Sequence, residues 1–487
     1  MTVRDALLGI DVGTTAVKVA AFTVDGRSIT AHTTGYPIHR PRPGWAQQDP
    51  LDWWQGCVRG LRAVLADLPA GSVRSIGLVS QVNTHLLVDA RLRPLTPAII
   101  WQDQRCADLA RELDARFTAE EKTRIWGAPV VLDASFVGAR AAWFAKEEPD
   151  AWARARWILS PKDFIGAKLT GRVATDLSSG VRVAGADGYL PAAVGLVDGL
   201  ADRLPEILPA EASLGPATDF HLGPAEVVVG AMDAFGAVFG TRTTQPGRGM
   251  VCCGTSLVVA GASRESLPAR GVVTFPPRRG VFVHAGPTQA AGDAVRWWSQ
   301  ATGLSIDEVF ASASTGSPGV LFTPYLLGER APLWDSAVRA GFLGLSSATS
   351  RADLSHAVLT GVAMSARQVL DVVEQACGAP LPSLTFSGGG ARSDLWAQLH
   401  ADITRRPVER LRVRDSAVLG AALLGAVGAG SYPDIDTAAA EAVATERVFL
   451  PAKDADRFVP LYEAYRAAYP GLREVHAILA SWRAARS

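Results

Sequence analysis

A chain of 487 residues is longer than one hydrophobic core organises and suits two domains of ordinary size. Its 48 Lys and Arg balance its 48 Asp and Glu, so no net field favours nucleic acid or an anionic membrane as the main partner. No apolar run reaches membrane-spanning length, and five cysteines without metal-ligand spacing (Cys57, Cys106, Cys252, Cys253, Cys377) read as buried thiols in a reducing compartment.

The opening Met1-Thr2-Val3-Arg4-Asp5 enters a strand without the basic region and long apolar stretch of a signal peptide, so a cytoplasmic location is expected. Residues 8 to 36 alternate strands and tight turns, including the hairpin turn Val24-Asp25-Gly26-Arg27. Within them Leu8 to Val19 passes from apolar strand through Asp11, Gly13, Thr14 and Thr15 back to strand. This is the pattern of a phosphate loop on a β-hairpin, with a glycine turn, two hydroxyl donors and a carboxylate for a hydrated Mg²⁺. Alone it is equally an ordinary β-turn.

Gly44 to Pro50 leads into a helix near Leu51 to Leu68, with Asp49 as N-cap and Pro50 at its first position. A buried strand is expected at Ser75 to Val79, and Gln81 to Leu92 follows its carboxyl end, where ligands bind in open α/β sheets. Gln81, Asn83, His85, Trp101 and Asp103 offer amides, an imidazole, a carboxylate and an aromatic wall to a polar ligand, although His85 is equally a structural histidine. Helical patterns follow at 105 to 117 and 136 to 147, then the strand Trp157-Ile158-Leu159 and its successor Lys162 to Leu169. Residues 196 to 225 are Pro-rich and irregular. Strand Val227 to Val229 runs into Gly230-Ala231-Met232-Asp233 and a helix of small residues, Ala234 to Gly240. At the end of an apolar strand, Asp233 can take the proton of a substrate hydroxyl attacking phosphorus, or it can simply cap the helix.

A boundary near Pro246-Gly247 divides the chain into expected domains of 1–245 and 246–487. Just beyond it, Met250 to Val259 repeats the first hairpin, and Gly254-Thr255-Ser256 aligns with Gly13-Thr14-Thr15. Two related α/β domains, each with one hydroxyl-bearing hairpin, account for the repeat. Arg330 can face phosphate or pair with Glu329. A long helix is expected at Arg351 to Gln375, a strand at Ser383 to Phe386, and a helix at Ser393 to Thr404. Between the last two, Ser387 to Ser393 is a glycine-rich turn open to a nucleotide or set by packing. An Ala- and Gly-rich helix, Ser416 to Ala429, should lie flat on a sheet, and the last ~45 residues read as a helical tail.

Taken together and in this order, these segments resemble the FGGY carbohydrate kinases of the actin-like ATPase superfamily, most closely their xylulokinase (pentulose kinase) branch. The motifs that carry it include Gly9 to Thr15, Trp45 to Pro50, Trp101-Gln102-Asp103, Phe136 to Pro149, Pro161-Lys162-Asp163-Phe164, Leu169-Thr170-Gly171, Gly230 to Gly240, Gly328 to Pro332, Gly341 to Leu345 and Gly388 to Ser393. The resemblance implies an α/β fold of two ribonuclease-H-like domains with an interdomain catalytic cleft, the first sugar-binding and the second ATP-binding. It implies ATP-dependent phosphorylation of a small ketose, first a pentulose such as D-xylulose, at its terminal primary hydroxyl. Asp233 is then the general base, and Asp11 with Asp233 are the carboxylates for Mg²⁺. Gly13, Thr14, Thr15, Gly254, Thr255 and Ser256 hold phosphates, and Gly389, Gly390 and Ala391 lie along the adenosine. Gln81, Val82, Asn83, Trp101, Asp103 and Asp233 meet the sugar.

Sugar and ATP are the implied partners, with a homodimer as common in such families. Departures fall where the sugar should bind: the branch has Gln-Met-His where Gln81-Val82-Asn83 stands, and Asn where Ala234 stands. Changed hydrogen-bond partners alter discrimination among polyols, so a kinase of a tetrulose, a pentitol or glycerol is the alternative. A non-catalytic ATP-binding switch is a remoter one.

Overall fold

The computed structural model describes residues 5–218, 225–317 and 319–484; Met1–Arg4, read above for a leader, and 219–224 of the irregular stretch lie outside the described residues. The chain divides into two compact units, Met1–Gly240 with Ala417–Ala442, and Thr241–Ser416 with Val443–Ser487. Each contains a seven-stranded sheet.

In the first unit β1 (Ala6–Val12), β2 (Ala16–Thr23) and β3 (Ser28–Gly35) form an antiparallel meander. Its second turn falls at the expected Val24 to Arg27, with Gly26 at φ +74°. On the other side of β1, β4 (Val73–Ser80) runs parallel to it. β5 (Ser213–Pro216), β6 (Glu226–Val228) and β7 (Ala231–Met232) complete the sheet, with β6 and β7 both parallel to β4. β1 is buried on both faces, as its unbroken apolar run requires, whereas the outer β3 alternates with solvent.

The helix Pro50–Ala66 begins as expected, its N-cap Asp49 accepting from the Leu51 N–H. The segment after strand Trp157–Leu159 is a helix, Pro161–Thr170, not a further strand element. Ser160 and Asp163 cap it reciprocally, Pro161 opens it, and Gly171 closes it in the left-handed region.

Ser416–Gly428 does lie flat on a sheet, but on that of the first unit. The approach is backbone against backbone: a Cβ on Gly9 would stand 2.0 Å from the Val418 carbonyl oxygen, and one on Gly77 only 1.7 Å from that of Ala421. The expected second domain of 246–487 is corrected accordingly, because residues 417–442 pack with the first unit.

The second unit repeats the plan. β8 (Gly249–Cys253) and β9 (Leu257–Ser263) form a hairpin, β10 (Val273–Arg278) and β11 (Val281–Pro287) extend it past β9, and β12 (Leu384–Ser387) runs parallel to β8. β13 (Val408–Leu411) and β14 (Thr445–Phe449) finish the other edge. The tail is therefore not wholly helical, because β14 pairs antiparallel with β13 before the helix Val459–Ala484. The helix Arg351–Cys377 runs through the core of this unit. All five cysteines are free thiols, four of them buried. Among the described residues no helix is long and apolar enough to cross a membrane.

Candidate active site

Strand register decides which side chains gather at one end of the first sheet. Asp11 of β1 stands opposite Val79 of β4, and from the other side Ala231 of β7 stands opposite the same Val79. The Gln81 N–H, just past β4, donates to the Val12 carbonyl at 2.9 Å. Asp11, Gln81 and Asp233 thus leave the carboxyl ends of three neighbouring strands, each about 4.8 Å from the next. Asp233 is half-buried at the first position of helix Asp233–Gly240, and its Oδ1 accepts from the Ala234 N–H at 2.7 Å. A capping contact and a carboxylate presented at the sheet edge coexist in this residue.

The turn of the first hairpin has its acceptors occupied. The Gly13 carbonyl takes the Tyr36 hydroxyl, that of Thr14 takes the Gln48 amide at 2.6 Å, and that of Thr15 takes the Tyr36 N–H at 3.1 Å. Trp101 donates its indole N–H to Thr14 Oγ1 at 3.0 Å, so the hydroxyl proton of Thr14 is left to donate outward. The second hairpin is treated alike. The Gly254 carbonyl accepts from Gly292 at 3.0 Å, and that of Thr255 from Ala291 at 2.9 Å and Asp293 at 3.1 Å, all at the start of helix Gly292–Thr302. Thr255 itself is exposed. With these carbonyl oxygens engaged and Thr15 and Thr255 exposed, each turn can offer an anion donors rather than acceptors.

Gln48, which the sequence reading did not single out, organises the neighbourhood. Its Oε1 accepts from Gln81 Nε2 at 2.9 Å and from the Trp53 indole at 3.2 Å while its amide holds the hairpin. Gln81 is only 1% exposed, and its Oε1 is buried with no hydrogen-bond partner. Asn83 adopts a left-handed backbone, φ +51°, pinned through its carbonyl by Arg140. Arg140 is fully buried and also donates to the carbonyls of Ile99 at 2.6 Å and Ile100 at 2.7 Å. It donates to His85 Nδ1 at 3.1 Å, and burial with this cation holds the imidazole well below its usual range, neutral and accepting. Val82 beside them is half-buried.

Two of the residues expected at the sugar and the adenosine have buried side chains. Asp103 is 0% exposed, and its carboxylate is engaged by the Ala46 N–H and by Arg105 through Nε at 3.0 Å and a terminal nitrogen at 2.8 Å. Arg105 in turn lies 3.7 Å over the Trp45 ring, so Asp103 anchors a stacked arginine. Ala391 is 0% exposed and packs in the core of the second unit. In the same turn a Cβ on Gly388 would stand 2.5 Å from the Cys253 carbonyl, and one on Gly390 2.7 Å from its sulfur. Packing sets those two glycines, whereas Gly389 is exposed and its Cβ direction is open space.

Residues 6–240 match the FGGY family of carbohydrate kinases, N-terminal domain, and residues 249–429 match the C-terminal domain of the same family. This chain belongs to the FGGY family of carbohydrate kinases. A xylulose kinase of Staphylococcus epidermidis is 28% identical, covering 98% of this chain and 99% of the relative. A glycerol kinase of Bordetella parapertussis is 31% identical over 94% of this chain and 95% of its own. The crystal structure of a xyloylose kinase from Brucella ovis superposes with TM-score 0.83 at 30% identity, covering 96% of this chain and all (100%) of that one. The protein is thus an ATP-dependent carbohydrate kinase of the actin-like ATPase fold.

Asp11 is the residue here whose chemistry fits a hydrated divalent cation. Its carboxylate is a hard oxygen donor beside the phosphate turn. Among the described residues no group of three or more His, Cys, Asp or Glu could hold a metal ion. In the second unit of the kinase, Glu329 is 4% exposed and receives the Gln289 N–H at 2.6 Å and the Arg330 N–H at 2.8 Å. The Arg330 guanidinium donates to the Thr288 carbonyl, just ahead of the segment that holds the second hairpin.

Proposed function

We propose that this FGGY kinase transfers the γ-phosphoryl group of ATP to the terminal primary hydroxyl of a small ketose, first a pentulose such as D-xylulose, with Asp233 as general base. The observation that carries this reading is the shared sheet edge, where a half-buried carboxylate, a donor-rich turn and a buried amide oxygen lie on adjacent strands. As the sugar oxygen attacks phosphorus, Asp233 takes its proton; Gln81 Oε1 accepts from a second sugar hydroxyl, which fixes the approach. The hydroxyls of Thr14, Thr15, Thr255 and Ser256 donate to phosphate oxygens. Gly389 gives the nucleotide its close approach to backbone, and Asp11 holds the hydrated Mg²⁺ that neutralises polyphosphate charge. The names of the xylulose kinase relatives support the pentulose.

A second reading, phosphorylation of another small polyol, is favoured by Asn83 and Ala234, which change the hydrogen-bonding groups near the sugar, and by the likeness to a glycerol kinase. ADP release with Mg-ATP against ketopentoses, tetruloses, pentitols and glycerol tests both. A kcat/KM highest for D-xylulose supports the first, and turnover confined to another polyol replaces it with the second. Asp233→Asn should lower kcat by roughly 10²- to 10⁴-fold and leave ATP affinity intact. Turnover near the wild-type rate would remove Asp233 from its role.

A further inference from the structure

Helix Pro161–Thr170 buries a lysine completely: Lys162 is 0% exposed. Its Nζ lies 2.6 Å from Asp163 Oδ1 and 3.1 Å from Asp176 Oδ1. Burial works against the charge on Lys162, but the two carboxylates outweigh it and hold the amine protonated. An enclosed lysine with two aspartates is costly unless geometry requires it, and nothing in the phosphoryl-transfer scheme above uses it.

The cluster has two outlets, and both lead to the same four residues. Lys162 Nζ donates to the Val229 carbonyl at 3.4 Å. On the other side Asp176 accepts the Ser178 hydroxyl proton, which turns the oxygen lone pair of Ser178 toward the Met232 N–H at 3.0 Å. Between these anchors lie Gly230 and Ala231. Gly230 has φ +80°, and a Cβ there would stand 2.0 Å from the Leu78 carbonyl, so the chain kinks tightly against β4 before β7 resumes. The next residue is Asp233.

We infer that the buried Lys162 and Asp176 together with the half-buried Ser178 form a clamp that holds Val229–Met232 at both ends and so aims the Asp233 carboxylate, with Ser178 as the positioning residue. The inference rests on Asp233 being the base. Ser178 Oγ is the group that joins the cluster to the backbone amide immediately before Asp233, so it is the point at which the clamp can be opened without dismantling the charged core.

Steady-state kinetics per mole of native protein tests this, with the sugar that the polyol panel identifies. Ser178→Ala should lower kcat on the order of 10- to 100-fold with the KM for ATP unchanged, because misplacing a catalytic group affects the reacting state more than nucleotide binding. Ser178→Thr keeps the hydroxyl and should retain most of the rate. Ser178→Cys fills the same space with a weak acceptor and should fall with the alanine variant, which guards against a folding failure of either. In an Asp233→Asn background Ser178→Ala should cost nothing further. A wild-type kcat for Ser178→Ala and Ser178→Cys overturns the clamp, as does a full additional loss on top of Asp233→Asn. If Asp233→Asn alone keeps the wild-type rate, the base assignment itself has failed, and that outcome is read from a different variant.

Discussion

Gln81 is held in the protein by one end only. Its Nε2 is fastened to Gln48, which leaves a buried carbonyl oxygen that a sugar hydroxyl can satisfy. Gln81→Leu should raise the KM for the sugar about 10-fold, the equivalent of roughly 1.4 kcal/mol for one buried hydrogen bond, with the KM for ATP unchanged. An unaltered sugar KM would remove Gln81 from the binding site. Glu329 makes a different residue-scale prediction. Burial pushes its carboxyl up to about 7, against the lowering effect of the backbone N–H groups of Gln289 and Arg330 and the Arg330 charge. The folded value lies above the ordinary 4.5, so the folded state binds this proton more tightly. Its contribution to stability is complete below about pH 4.5 and is lost as pH rises through about 7. Glu329→Gln, neutral at every pH, should therefore gain up to about 3 kcal/mol relative to wild type between pH 5 and 8, measured by denaturant unfolding. An equal gap at both pH values would show that Glu329 does not titrate in that range. The role of Glu329 is not legible in the sequence, where it reads only as a partner for Arg330, whereas Gln81 is legible because it follows an apolar strand.

At the scale of elements, the hairpins were readable and their supports were not. A Gly-Thr-Thr or Gly-Thr-Ser turn between apolar strands is a local pattern. The groups that occupy its carbonyls come from Tyr36 and Gln48 in one unit and from residues 291–293 in the other, and only the fold brings them in. Lys162 was quoted within a motif and given no role, because a lysine is ordinarily a surface residue and nothing local signals that Asp176 will meet it. Ala391 shows the converse, a turn position that suggests exposure and that packing buries. Small residues in Ser416–Gly428 did announce flat packing, and the contact is tight enough to test. Gly77→Ala would drive a Cβ to 1.7 Å from the Ala421 carbonyl oxygen, with the Gly425 N–H at 3.0 Å. Backbone cannot yield as a side-chain tip can, so the expected cost is at least ~3 kcal/mol, seen as a large drop in the thermal midpoint or loss of soluble protein. A midpoint within a degree or two of wild type would mean that the helix stands off the sheet.

The whole molecule is not two consecutive halves. Two domains followed from length and from the repeated hairpin, but a single boundary near residue 246 misses the return of 417–442 to the first unit. Nothing local in the sequence signals this, because an Ala- and Gly-rich helix fits any sheet with small residues on its face, and which sheet it meets is a long-range fact. Val418, Leu419, Ala421, Ala422, Leu423, Leu424 and Ala426 are all buried, so this helix is apolar on every side and cannot stand alone in water. Residues 5–240 without it would expose the strands that Gly9 and Gly77 clear for it. A fragment of 5–240 should accordingly aggregate or unfold without cooperativity. The same fragment joined through a flexible Gly/Ser linker to 417–442 should be soluble and melt in one transition followed by circular dichroism. If 5–240 alone melts as sharply and as high as the joined form, the helix is not part of that unit's core, and the division of the chain would move back toward a single cut.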